Sequence, residues 1–138
     1  NELFSWNKSL SVNNDTLDHE HQDIIQCMNV LYDLNTRAPK KARLLAAFDN
    51  LINVTESHFA DEENHMEKIK YDRIKNHKSA HNELITSLYK YRSELESSVY
   101  VKFPSSVFDF FKVWLVSHIM IVDRHYAEVS TQSQNAAS

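Results

Sequence analysis

Residues 44–66 read LLAAFDNLINVTESHFADEENHM, and their spacing decides the fold. Leu44, Phe48, Leu51, Thr55, His58 and Glu62 recur at intervals of 4, 3, 4, 3 and 4. That period lines successive side chains along one face of an α-helix. Leu45, Ile52, Phe59 and Met66 widen the stripe. Towards its end the stripe changes character, because His58 and Glu62 stand where a packed helix wants leucine.

The flanking sequence repeats the pattern. Upstream, Asn13-Asn14-Asp15-Thr16 is a run of residues suited to a helix N-cap. Behind it Leu17, His21, Ile24, Met28 and Leu31 form a helical stripe that should end near Leu34-Asn35. Asn35 is expected there in the left-handed cap position that glycine usually fills. Downstream, a break at Lys70-Tyr71-Asp72 precedes the stripe Ile74, His77, His81, Leu84, Leu88, Tyr91 and Leu95. Pro104 suits the opening turn of a fourth helix, whose core line runs through Val107, Phe111, Trp114 and His118. Four amphipathic helices with short connections predict an all-α, up-down-up-down four-helix bundle. Residues 1–13 read as an extended N-terminal arm. The expected division is a helical domain over 1–129 and a small, polar tail or linker over 130–138.

Composition agrees. The 138 residues include no glycine, where average usage of about 7% would supply roughly ten. Phosphate-cradling loops and tight hairpins both need glycine, so a nucleotide-binding α/β fold and a hairpin-rich β fold are excluded. Asn, Asp, Ser and Pro are left to make the corners. Net charge is −4, without the basic footprint of a nucleic-acid binder. The longest apolar run, Val113–Val122, is too short to span a bilayer, so no membrane contact is expected. One cysteine, Cys27, excludes an internal disulfide and suits a reducing, cytoplasmic compartment.

The eight histidines carry the chemistry. His21, His58, Glu62, His77, His81 and His118 all occupy core stripes. A carboxylate buried without a partner costs several kcal/mol. In an up-down-up-down bundle the starts of helices 1 and 3 lie beside the ends of helices 2 and 4. At about 1.5 Å per residue, those six and Asp123 fall in one layer. Five imidazoles and two carboxylates converging on one point make a metal site, and its size suits two ions. His58/Glu62 and His77/His81 are i,i+4 pairs, adjacent on a helix face. His118 and Asp123 are five apart, about 140° off in an ideal helix, and converge only with sideways reach or a local π-turn. Structural zinc closes at four ligands, usually with thiolates; mixed imidazole and carboxylate donors suit iron or manganese. If both carboxylates bridge, five imidazoles divide three and two. The ion with fewer ligands then keeps a position open for a diatomic molecule.

The series His21, His58-x-x-x-Glu62, His77-x-x-x-His81 and His118-x-x-x-x-Asp123 resembles the bacterial hemerythrin family. Asp18-x-x-His21, His58-Phe59, Glu62-Glu63 with Met66, and Trp114-Leu115-x-x-His118-Ile119 match as well, over roughly residues 6–126. The resemblance implies a non-haem di-iron centre with a bridging oxide or hydroxide. His77, His81 and His118 would hold one iron and His21 and His58 the other, with Glu62 and Asp123 bridging. O₂ would bind reversibly at the two-histidine iron, held as a hydroperoxide. Ile24, Phe59, Trp114, Leu115 and Ile119 would line a dry pocket that disfavours autoxidation.

The other histidines have plainer readings. His19 lies about 200° around the helix from His21 and should face solvent. His65 forms a Glu-x-x-His pair with Glu62, but a ferritin-like oxidase needs two such pairs. His125 falls two turns beyond His118, towards the rim. Phe108, Phe110 and Phe111 read as packing, and Lys68, Lys70, Arg73, Lys75 and Lys78 as a solvated rim. Glu63 is expected to point away from the site. A binding protein and not an enzyme is expected, either a sensor domain with a covalently attached signalling output or a free-standing O₂ carrier. The absence of an initial Met and the linker-like tail lean towards sensing.

Overall fold

A computed structural model describes residues 15–37, 40–99 and 102–118, with the backbone alone for 115–117. It is an up-down-up-down four-helix bundle, with α1 over Asp15–Thr36, α2 over Lys41–Lys68, α3 over Ile74–Ser97 and α4 over Ser105–Ser117. The extended arm and polar tail expected from the sequence lie outside the described residues.

The stripes pack as their period requires. All five named positions of α1 and all six of the α2 stripe are buried. Phe48 on α2 contacts Phe103 ahead of α4 and Phe111 within it, at ring-centroid separations of 4.9 and 6.2 Å. Tyr32 on α1 meets Phe108 edge-on at 5.1 Å, and Tyr91 on α3 meets Phe110 at 5.3 Å. These aromatic contacts tie all four helices into one apolar half. Burying Phe48, Phe103, Phe108 and Phe111 contributes on the order of 2–3 kcal/mol each. α3 is the least apolar helix: of its predicted stripe only His77, His81, Leu88 and Leu95 are buried, while Ile74, Leu84 and Tyr91 are partly exposed. Polar clips join it to α2, where Arg92 reaches Asp49 with two nitrogens and Tyr89 donates to Glu56 at 2.6 Å.

Two corners depart from expectation. Asn35 stays helical, and its amide grips the connection before α4. Nδ2 donates to the Phe103 carbonyl at 3.1 Å, and the Phe103 N–H donates to Oδ1 at 2.8 Å. The left-handed position falls instead to Lys70, with φ 54°. The Tyr71 N–H donates to the Met66 carbonyl at 2.9 Å and the Lys70 N–H to the Glu67 carbonyl at 3.2 Å. That pair of bonds is the Schellman ending of a helix, normally closed with glycine. Its usual apolar contact is present too, since Met66 and Tyr71 pack with Leu17 in a small buried cluster. This cluster lies one turn beyond His21 and Glu62, at the polar end of the bundle.

Candidate metal centre

The predicted layer assembles in the structure. His21, His58, Glu62, His77, His81 and His118 are all between 0 and 5% exposed. Glu62 is the hub. Its Oε2 stands 3.5 Å from His21 Nε2. Its Oε1 stands 3.1 Å from His81 Nε2, 3.3 Å from His58 Nε2 and 3.9 Å from His118 Nε2. Burial alone would raise the Glu62 carboxyl, but the surrounding imidazoles hold it well below the usual carboxylate range. Burial lowers His81, which favours its neutral, lone-pair-bearing form.

Donor atoms group in two sets within 4.8 Å of one another: Glu62 with His77, His81 and His118, and Glu62 with His21 and His58. Glu62 belongs to both. Nε2 of His81 and Nε2 of His118 are 3.2 Å apart. Adjacent ligands about 2.1 Å from one ion stand roughly 3 Å apart, so this spacing fits a shared metal. An all-imidazole and carboxylate set suits iron or manganese rather than structural zinc.

The hemerythrin HHE cation-binding domain family matches residues 12–129, nearly the whole chain. The chain belongs to the hemerythrin family. It is 34% identical to a myohemerythrin of Sipunculus nudus over 123 residues, which cover 89% of this chain and 90% of that one. It is 29% identical to a bacteriohemerythrin of Stenotrophomonas maltophilia, covering 91% of this chain and 80% of that one. A crystal structure of a hemerythrin point variant superposes with a TM-score of 0.84 at 24% identity, over 94% of this chain and 98% of that chain.

Of the seven residues in the hemerythrin-like series, the structure brings six together; Asp123 lies outside the described residues. At His118 the backbone is π-helical, the local geometry that a five-residue spacing calls for. Of the expected pocket, Ile24, Phe59 and Trp114 are buried. Phe59 stacks on His81 with centroids 3.7 Å apart and planes 3° from parallel. Trp114 meets Phe59 edge-on at 6.1 Å. The Leu115 side chain and Ile119 lie outside the described residues, as does His125. His19 faces solvent with 75% of its side chain exposed, beside Asp23. His65, partly buried, stands outside both donor groups.

Glu63 corrects an expectation. Rather than turning away, its Oε2 lies 3.8 Å from Nδ1 of His81. Glu20 was not anticipated at all, and its Oε1 lies 2.8 Å from Nδ1 of His58. Burial would raise the Glu20 carboxyl, but hydrogen bonds with His58 and Asp61 outweigh it and hold it low. Asp61, on the surface, is pushed up by the same contact with Glu20. The signal for both acids was adjacency: each lies one residue from a ligand, hence about 100° around its helix, facing the neighbouring helix.

Among the described residues, no helix is long and apolar enough to cross a membrane.

Proposed function

We propose that this chain is a non-haem di-iron protein that binds O₂ reversibly, a binding protein and not an enzyme. The observation that carries the reading is the pair of donor groups joined at Glu62, one with three imidazoles and one with two. His77, His81 and His118 would hold one iron and His21 and His58 the other, bridged by Glu62 and Asp123. When bound, the pair of irons supplies two electrons to O₂ and takes them back on release.

The chain's own residues set the conditions for that exchange. As ligands, five imidazoles would offer lone pairs without adding charge, and Glu62 stands in both donor groups. The unequal ligand count leaves the His21–His58 side with room for a diatomic molecule. Ile24, Phe59, Trp114, Leu115 and Ile119 would exclude water there, which keeps protons from the bound ligand and slows loss of the reduced state. The π-helical turn at His118 supports Asp123 as the second bridge.

The test is direct. Purified protein should carry two irons per chain, show an oxo-bridged di-ferric charge-transfer spectrum, and bind and release O₂ without net consumption. A single zinc per chain would sink the reading.

Binding could serve sensing, through a covalently attached output domain, or carriage and storage. Carriage draws support from the lengths of the relatives: the aligned segment covers 90% of the Sipunculus myohemerythrin and all of a Clostridium acetobutylicum bacteriohemerythrin, which is 24% identical. The full gene product separates the two. A catalytic or signalling domain encoded in frame favours sensing, and a free-standing domain favours carriage.

A further inference from the structure

His58 is held at both of its ring nitrogens. Nε2 faces Glu62 Oε1 at 3.3 Å, and Nδ1 lies 2.8 Å from Glu20 Oε1. Glu20 sits on α1, one residue before His21. One helix therefore supplies both a donor to the site and an outer carboxylate for the donor on the next helix. Glu63 and His81 repeat the pattern from α2 to α3, but at 3.8 Å, too long for a hydrogen bond.

The chemistry of the close contact is constrained. An ionised carboxylate has no proton to give and only accepts, so Nδ1 of His58 must carry the hydrogen. Its Nε2 is then left with a lone pair aimed at the middle of the site. Negative charge behind the ring also makes it a stronger donor to a metal. Glu20 is itself only 20% exposed.

We propose that Glu20 is a positioning residue for the two-histidine group. It fixes the tautomer and orientation of His58 and strengthens it as a ligand. The ion held by His21 and His58 therefore depends on an outer carboxylate from α1. The ion held by His77, His81 and His118 has no such dependence on Glu63. This inference rests on the di-iron reading above.

Glu20→Gln keeps the side chain's shape and removes its charge; Glu63→Gln does the same at the longer contact. Wild type and both variants are loaded with ferrous iron, their iron is counted, and a ferrous chelator is titrated against each. Mössbauer spectra of the loaded proteins distinguish the two iron environments. Glu20→Gln should release one of its two irons with about 10–100-fold weaker retention, with a single altered Mössbauer doublet. Glu63→Gln should behave as wild type. Glu20→Gln that retains both irons as wild type does, or loses both together, overturns the proposal. Wild type that holds fewer than two metals overturns the di-iron reading instead. In that case, or if Glu20→Gln does not fold, ¹⁵N shifts of the His58 ring in the wild-type chain decide the matter. A ring protonated on Nδ1 supports the role of Glu20, and one protonated on Nε2 overturns it.

Discussion

The two ends of this bundle are built on opposite principles. Around Phe48, Leu88 and Phe111 the helices meet through apolar side chains that are nearly fully buried, and contact itself stabilises the fold. Around Glu62 the same helices meet through a carboxylate and five imidazoles buried to the same degree. Here desolvation costs free energy that interactions among the polar groups must offset. The apolar end holds the helices in place so that the polar end can present donors to metal. Stability and function thus occupy different lengths of the same four helices.

The sharpest way to break that comparison begins with metal removal. Each ion bound at about a thousand times its dissociation constant stabilises the folded state by roughly 4 kcal/mol. Stripping both with a chelator should lower Tm by 20 °C or so, followed by circular dichroism. A metal-free protein that melts with the loaded one would show that the polar end needs no ion. Next in size, Phe111→Ala should cost about 3–5 kcal/mol in denaturant unfolding and should do so with or without metal. His118→Leu should act in reverse. It should lose metal, while the metal-free variant unfolds within about 1 kcal/mol of the metal-free wild type, because a buried polar group has been replaced by an apolar one. A loss as large as that of Phe111→Ala would make His118 a structural residue. His19→Leu, on the solvent face, should leave metal content unchanged. The smallest stability change expected is from Lys70→Gly. Relieving a left-handed lysine should raise stability by roughly 0.5–1 kcal/mol, seen as a small increase in the denaturant midpoint.

Much of the polar end was legible in the sequence because it follows helical period. His21, His58, Glu62, His77, His81 and His118 lie on stripes that the bundle must bury, and period alone places them in one layer. Residues off the stripes were harder. Glu20 and Glu63 reach ligands on neighbouring helices, and that depends on how far each helix is rotated about its axis, which spacing does not specify. The corners were harder still. Asn35 could have ended α1 with a left-handed turn, yet both ends of its amide find the Phe103 backbone 68 residues away. Tertiary pairing took precedence over local cap chemistry. The missing left-handed residue then turned up as Lys70, a residue type with no preference for that conformation, held there by the Met66–Tyr71 closure.

The Asn35 clip also acts as a phase-setter for α4. A side-chain amide that both gives to and takes from one residue's backbone leaves that residue little freedom to slide. Phe103 lies fifteen positions before His118, a lever arm of about 22 Å along a helical rise. One residue of slip at the clip would advance His118 by about 1.5 Å and swing it through some 100°, away from Glu62 altogether. A contact at the dry end of the bundle thereby indexes the rotation of the helix that delivers the last imidazole.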